Sequence, residues 1–314
     1  MSTDGQLALA HMAHGAALAA SGDRDAAAAA FARAGALEPG SAELQWRLAD
    51  LAASQRDLTG AEAHYRQAVA AGPDDWEAYG KLGGFLYQQA RYPEAITAFE
   101  RMRDLASDHP RAYANLAAAY HQVDRTDDAA ALLQRALEIT KDSLIYSNLG
   151  TYLYFQGKYN EAVSAFDQSV ALNANIYQRW GNLGDAVRMT APGSPKMHDS
   201  YERALQLARE ELARTPEDTN IRSSSALYLI RDGQTDAARA ELDRVLTQAT
   251  LSPSVLFKAT LVAELMGQRA QALALLQRAL DAGYQMREVR AEPDLVSLRA
   301  DPDYHRLAAR FEKE

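Results

Sequence analysis

The chain has 314 residues, and 47% of them are hydrophobic, which is enough for a sizeable buried core. Its 33 Lys and Arg residues against 42 Asp and Glu residues give a formal charge of −9, and this balance argues against nucleic acid as a partner. The absence of cysteine excludes disulfides, thiolate nucleophiles and cysteine-ligated metal centres, and the absence of a long uncharged apolar run argues against membrane insertion.

The first predicted element is the apolar stretch over residues 6–20, which ends in small residues as a secretion signal does. The residues before it include Asp4 but neither Lys nor Arg, so the basic part of a signal is missing. The same stretch also fits the repeat that runs through the rest of the chain. We therefore interpret it as a helix rather than as a signal.

A unit of about 34 residues recurs along the chain, and each copy can be marked by a residue pair such as Leu149-Gly150. In seven of the eight copies an alanine stands 13 residues after the first member of the pair, and a large apolar residue follows four residues later. The eight marker pairs are His14-Gly15, Leu48-Ala49, Leu82-Gly83, Leu116-Ala117, Leu149-Gly150, Leu183-Gly184, Ser225-Ala226 and Ala259-Thr260.

Each copy contains two apolar runs with helical spacing, separated by a short turn that often contains glycine. Prolines stand between copies, often next to a residue that can cap the next helix. The small residues lie where two helices must approach closely, and the aromatic residue fills the space beside them. Each copy is therefore predicted to be an antiparallel helix pair, which buries its apolar face only by stacking on its neighbours.

This pattern resembles the tetratricopeptide repeat family over residues 6–281, and most completely over 76–109, 110–142 and 143–175. The resemblance implies an all-α fold, a right-handed superhelix (an α-solenoid) of about eight helix-turn-helix repeats with capping helices at the C-terminal end. We place the repeat array at residues 1–281 and the capping helices at 282–314. Within the array, repeats are expected near residues 8–41, 42–75, 76–109, 110–142, 143–175, 176–217, 218–251 and 252–281.

The sixth repeat departs from the pattern, because residues 189–200 contain two prolines and a glycine and are predicted to form a non-helical loop. This loop can be a tolerated insertion, or a hinge or binding element. The tail beyond residue 281 contains the segments ALDAGY and LRADPDYHRL. It resembles the ends of repeat regions in bacterial signalling proteins, namely serine/threonine kinases, adenylate cyclases and membrane-linked regulators.

No motif for catalysis or cofactor binding is present, since the sequence lacks a phosphate-binding loop, a dinucleotide fingerprint and a Gly-x-Ser-x-Gly elbow. His11 and His14 share a helical face but have no evident third ligand, and both fall at packing positions. We therefore predict no catalytic residue, no metal site, no cofactor and no enzymatic activity.

Binding residues are predicted on the first helix of each repeat, which in the family lines the concave groove. The residue before the marker pair is asparagine in three consecutive repeats, and such a row can pair with a peptide backbone through its amide donors and acceptors. Tyrosine and arginine are favoured binding anchors. The predicted groove residues are Asn115, Asn148, Asn182, Tyr87, His121, Tyr154, Arg111, Thr151, Asp185 and Arg188.

The leading functional interpretation is a protein-interaction scaffold that binds a peptide or protein segment in this groove. One alternative is the sensory or regulatory region of a bacterial signalling enzyme such as a serine/threonine kinase, and another is an enzyme on a helical scaffold. Homo-oligomerisation stays open. The location is expected to be cytoplasmic if the chain is complete, and periplasmic if it is a fragment of a membrane-tethered sensor.

Overall fold

The computed structural model describes residues 3–311, and within this range it confirms the predicted all-α fold, with helices and no strand. Sixteen helices form eight successive antiparallel pairs, and shorter helices follow them. The helices fall into two compact units that divide between Lys141 and Asp142.

The first unit contains four helix pairs. Their bounds are α1 Thr3–Ala20, α2 Arg24–Leu37, α3 Ala42–Ser54, α4 Leu58–Ala71, α5 Trp76–Gln88, α6 Tyr92–Leu105, α7 Pro110–Gln122 and α8 Thr126–Ile139. Successive first helices contact one another, so α3 packs on α5 and α5 packs on α7.

The second unit contains four further pairs and the tail. The pairs are α9 Ser143–Phe155, α10 Tyr159–Leu172, α11 Tyr177–Thr190, α12 Pro195–Leu212, α13 Thr219–Arg231, α14 Thr235–Leu246, α15 Pro253–Leu265 and α16 Arg269–Asp281. The tail adds α17 Met286–Ala291, a 3₁₀ turn Pro293–Leu295, α18 Val296–Arg299 and α19 Pro302–Ala308. Here α9 packs on α11, α11 on α13 and α13 on α15.

The turn inside a pair needs a left-handed backbone, and glycine supplies it in several pairs, as at Gly157 with a φ of 74°. In three pairs of the first unit the same turn is made by Arg56, Ala90 and Asp124, which also have positive φ. A side chain in this conformation costs about 1 kcal/mol, so packing of the two helices must supply the difference. The turn therefore forms even where the glycine is missing.

Small residues and aromatic rings interlock inside the pairs. The ring of Phe99 lies so close to Gly83 that an added Cβ would be 2.6 Å from a ring carbon. Gly150 meets Phe166 in the same way, with a corresponding distance of 2.7 Å. This contact is the physical reason for the small residue and the later aromatic that mark each repeat in the sequence.

The structure corrects the loop predicted over residues 189–200, because only residues 191–194 lie between α11 and α12. Pro195 occupies the first turn of α12, where the missing N–H costs no hydrogen bond, and the side chain of Ser194 accepts from the backbone N–H of Met197. The largest single contribution to the 42-residue spacing of this repeat comes from α12, which has 18 residues where α10 has 14.

The tail packs against the last helix pair of the second unit. Val289, Leu295 and Leu298 are completely buried in the same hydrophobic cluster as residues of α15 and α16. The ring of Tyr284 stacks on Phe257 of α15 with 4.2 Å between ring centroids. The tail thus completes the apolar face that the last pair would otherwise leave exposed.

Neighbouring glycines of α5 provide a test of the interlocking. We expect Gly83→Ala to lower the free energy of unfolding by about 1–3 kcal/mol, because the added methyl group would displace the buried ring of Phe99. Gly84→Ala is the matched control, since no atom lies within 4 Å of its added Cβ. It should stabilise the helix by about 0.5–1 kcal/mol. Urea unfolding followed by circular dichroism measures both, and equal effects would contradict this account.

Candidate functional site

All ten predicted groove residues lie on first helices of the pairs, namely on α5 and α7 in the first unit and on α9 and α11 in the second. Because successive first helices pack side by side within each unit, their side chains form one continuous face there. We call it the first-helix face of that unit. The two faces are described separately below.

In the first unit, the structure brings Arg111 and Asn115 together around one cavity of about 110 Å³. The cavity is also lined by Trp46 of α3 and by Trp76 and Lys81 of α5. We call it the tryptophan cavity. The sequence analysis did not single out the two tryptophans, because neither occupies a marker position of the repeat.

Cations accompany the aromatic walls of the tryptophan cavity. The ammonium group of Lys81 lies 4.5 Å from the ring centroid of Trp46, and the guanidinium of Arg47 lies 4.6 Å from it. Lys81 also donates to Asp50 at 2.6 Å, but its side chain is 39% exposed, so this ion pair contributes little stability. The cavity therefore combines the positive charges of Lys81 and Arg111 with flat apolar surface, and the exposed carboxylate of Glu77 also lines it.

The other two predicted residues of the first unit, Tyr87 and His121, do not line the tryptophan cavity. The hydroxyl of Tyr87 accepts from Nε2 of Gln122 at 3.0 Å. Nδ1 of His121 lies 3.2 Å from the hydroxyl oxygen of Thr126. Both side chains are half-buried near the C-terminal ends of their helices and make contacts within the unit.

In the second unit, Thr151, Tyr154, Asn182 and Asp185 line one cavity of about 120 Å³, whereas Asn148 is half-buried on α9 and does not line it. The hydroxyl of Thr151 donates to a carbonyl of its own helix, but the buried hydroxyl of Tyr154 has no hydrogen-bond partner among the described residues. Burial also raises the pKa of the Tyr154 phenol, so it stays neutral.

Next to this cavity lies a buried cluster of two arginines and three carboxylates. Nη1 of Arg231 lies 2.8 Å from Asp185, and its Nη2 lies 2.7 Å from Asp294 and 3.2 Å from Glu292. Nη2 of Arg188 lies 2.8 Å from the other oxygen of Asp294. We call this the arginine cluster.

The sequence analysis did not predict three members of the arginine cluster. Arg231 lies at the end of α13, and Glu292 and Asp294 lie in the tail, beyond the last repeat. The 34-residue period therefore gives no signal for the two tail carboxylates. Asp294 meets Arg188 and Arg231, and Glu292 meets Arg231, only because the chain turns back onto the first-helix face after α17.

The two tail carboxylates have opposite pKa shifts. Burial raises the pKa of Glu292 above its usual range, despite the nearby charge of Arg231. Burial also acts to raise the pKa of Asp294, but the charges of Arg231 and Arg188 outweigh it and hold this pKa below its usual range. Asp294 is therefore the tail carboxylate that stays ionised beside both arginines, while Asp185 supplies a further negative charge to Arg231.

Replacing each tail carboxylate by its carboxamide should show at pH 7 that Asp294 and Glu292 affect stability differently. Asp294→Asn should destabilise the second unit by about 3 kcal/mol, because it leaves two buried guanidinium groups with less negative charge. Glu292→Gln should be within about 1 kcal/mol of wild type or more stable, because it removes the cost of a buried charge. Urea unfolding provides the measurement.

The stability contributions of Asp294 and Glu292 should also depend on pH in opposite directions. The stability from Asp294 exists above its unfolded pKa near 3.8 and is lost as the pH falls through its lower folded pKa. The stability that protonated Glu292 contributes is full below its unfolded pKa near 4.5. It is lost as the pH rises through its higher folded pKa. The advantage of Glu292→Gln should therefore grow between pH 4 and pH 7, and a constant difference would contradict the assignment.

Two general features of residues 3–311 bear on function. None of their helices combines the length and the hydrophobicity needed to cross a bilayer. Within the same range, no group of three or more His, Asp or Glu side chains has the arrangement of a metal site.

Three family models, each described as "Tetratricopeptide repeat", match residues 12–76, 77–142 and 143–179. Among curated proteins, Small glutamine-rich tetratricopeptide repeat-containing protein 2 of Mycosarcoma maydis is 29% identical over 111 residues, which are 35% of this chain and 32% of that protein. Type IV pilus assembly protein PilF of Pseudomonas aeruginosa is 24% identical over 137 residues, 42% of this chain and 53% of that protein. The chain thus matches only about a third and about half of the lengths of these relatives.

Solved structures show the same fold. A tetratricopeptide repeat protein from Parabacteroides merdae has a TM-score of 0.60 at 15% identity, over 83% of this chain and 99% of that one. PilF of Pseudomonas aeruginosa has a TM-score of 0.57 at 18% identity, over 68% of this chain and 95% of that one.

Proposed function

We propose that this chain, which belongs to the tetratricopeptide repeat family, is a protein-interaction scaffold that binds a segment of another protein on its first-helix faces. The described residues consist of repeat helices and a short tail, so the proposal involves binding and no reaction. The bound segment would be extended or helical, since a row of parallel first helices offers an elongated surface.

The tryptophan cavity is the observation that carries this proposal. Trp46 and Trp76 are only partly buried, and Arg111 is exposed, so large anchoring side chains are available to a partner. Tryptophan and arginine are the residue types that most often dominate the energy of an interface. With Lys81 beside them, they favour a segment that carries both an apolar and an acidic side chain.

The asparagines could make a second kind of contact with a partner, namely hydrogen bonds to its backbone. Asn115 lines the tryptophan cavity, and Asn182 lines the cavity of the second unit. Each amide can donate to and accept from a peptide group, which binds a backbone without reading its sequence. In this proposal Asn115 holds the backbone of a segment whose side chains the tryptophan cavity selects, and Asn182 offers the same kind of backbone contact on the face of the second unit.

Peptide display on the immobilised full chain tests the role of the tryptophan cavity. We expect a selected peptide to bind Trp76→Ala and Arg111→Ala at least tenfold more weakly than wild type, because an anchor residue at an interface is worth about 2 kcal/mol. Arg135→Ala is the matched control, since Arg135 is an exposed arginine on a second helix and pairs with Glu138. Unchanged affinities for both cavity variants would refute this site.

The asparagine contacts have their own test. The double variant Asn148→Ala with Asn182→Ala should lower the affinity for a captured natural partner about thirtyfold, from the loss of two hydrogen bonds of about 1 kcal/mol each. Isothermal titration with the purified partner measures the change. An unaltered dissociation constant would remove the asparagines from the binding surface.

The remaining interpretations from the sequence stay predictions. These are the regulatory region of a bacterial signalling enzyme, the enzyme on a helical scaffold and homo-oligomerisation. The tail resembles signalling proteins only in its sequence segments, whereas the tryptophan cavity specifically favours a binding scaffold.

A further inference from the structure

The tail of the chain occupies part of the first-helix face that is proposed to bind partners. After α17 the backbone passes over the second unit, and the 3₁₀ turn 293–295 contacts α15. Asp294 reaches Arg188 on α11 and Arg231 on α13, which are 106 and 63 residues earlier in the chain. The side chains on this face thus already bind a peptide segment, and that segment belongs to the same molecule.

The contacts define what this face recognises. One carboxylate, that of Asp294, accepts from Arg188 at 2.8 Å through one oxygen and from Nε of Arg231 at 2.9 Å through the other. A second carboxylate two residues earlier, that of Glu292, accepts from Nη2 of Arg231 at 3.2 Å. Guanidinium groups suit such paired carboxylates because their donors form a rigid planar fork.

The fit of the tail in this face is incomplete. The cavity of about 120 Å³ lies beside Glu292, and the buried hydroxyl of Tyr154, on its wall, has no hydrogen-bond partner among the described residues. Nε of Arg188 is also buried without a partner in that range. The tail therefore leaves two polar groups of this face that a different segment could pair.

The tail has a second attachment that does not involve the arginine cluster. Leu295 and Leu298 are completely buried, and Arg269 of α16 donates to the backbone carbonyl and the hydroxyl of Ser297 and pairs with Asp301. These contacts can hold residues 295–308 in place while the acidic segment before them moves away, a movement that also breaks the 2.6 Å hydrogen bond from Arg299 to the backbone carbonyl of Glu292. Release of Glu292 and Asp294 therefore does not require the whole tail to detach.

We propose that the first-helix face of the second unit is a receptor for an acidic segment with two carboxylates two residues apart. In this proposal Glu292-Pro293-Asp294 is a built-in occupant that such a partner segment displaces. The inference rests on the proposed function and adds to it the chemistry of the partner and its regulation. The apparent affinity for the partner is then the intrinsic affinity multiplied by the fraction of molecules in which the occupant is released.

A peptide with the chain's own sequence is a direct probe of this receptor. The probe is a fluorescent synthetic peptide of residues 286–301, MREVRAEPDLVSLRAD. In its comparison peptide, Gln replaces Glu292 and Asn replaces Asp294. The full chain is tested as wild type, as the double variant Glu292→Gln with Asp294→Asn, and as Asp303→Asn. The last is a matched control in the tail, where Asp303 pairs with Arg306 and not with the arginine cluster.

We expect the double variant to bind the acidic peptide at least about tenfold more tightly than wild type or Asp303→Asn, because its own occupant no longer competes. The comparison peptide should bind at least tenfold more weakly than the acidic one. Adding Arg188→Gln to the double variant should remove the gain. Hydrogen exchange of residues 286–294 should accelerate more in the double variant than that of α13 and α15, which changes only with the stability of the whole unit.

Three results would overturn the proposal. They are equal affinity of wild type and double variant for the acidic peptide, equal affinity of the double variant for both peptides, and unchanged exchange of residues 286–294 in the double variant. If the double variant loses helical content, wild type is used with saturating acidic peptide, and exchange of its residues 286–294 must then increase.

The experiment also separates this inference from the proposed function. A peptide selected on the tryptophan cavity serves as a parallel probe, and its binding does not depend on the tail carboxylates. If it binds and the acidic peptide does not, only the inference fails. If the cavity variants also leave its binding unchanged, the proposed site in the first unit fails as well.

Discussion

The structure depends on one constraint, which is that a single helix pair cannot bury its own apolar face. Inside a pair, Gly83 against Phe99 and Gly150 against Phe166 allow two helices to approach closely, but the outer side of the pair is left apolar. Only the next pair can cover it, so the pairs stack within each unit. The same requirement explains why the tail buries Leu295 and Leu298 on the last pair.

Stacking leaves the first helices with a face that has no further pair to cover it, and the side chains there are not typical of a solvated surface. In the first unit the face presents Trp46, Trp76, Lys81 and Arg111 around one cavity. Trp46 contacts Lys81 of α5 and Trp76 contacts His109 just before α7, yet both tryptophans remain partly exposed. Binding of another chain gives these residues a physical reason to be there.

In the second unit, the first-helix face contains the buried arginine cluster that the tail partly covers. Burying the guanidinium of Arg231, whose side chain is 4% exposed, requires carboxylates close by. Asp185 on α11 supplies one, and the tail supplies Asp294 and Glu292. Burial raises the pKa of Glu292 although Arg231 lies beside it, so the charged form of Glu292 is held here at a cost. The tail is therefore attached firmly through its apolar residues and less favourably through one of its carboxylates.

The sequence by itself determined the helix pairs, because each depends on residues within one 34-residue repeat. The pairing of Leu149-Gly150 with Ala162 and Phe166 is local, and so is the positioning of the groove residues on first helices. The turn residues were less regular than the glycine pattern suggested, since Arg56, Ala90 and Asp124 adopt the same backbone through packing. The loop over 189–200 was predicted too long, because a proline in the first turn of a helix reads in sequence like a break.

Only the tertiary structure decided which side chains meet across the repeats. Trp46 and Trp76 share a cavity with Arg111 because α3, α5 and α7 pack side by side, and no spacing within a repeat shows this. The meeting of Arg188 and Asp294 is still less local, since 106 residues separate them. A repeat period describes residues that recur, whereas the tail lies outside the period and its position follows from the apolar surface that it covers.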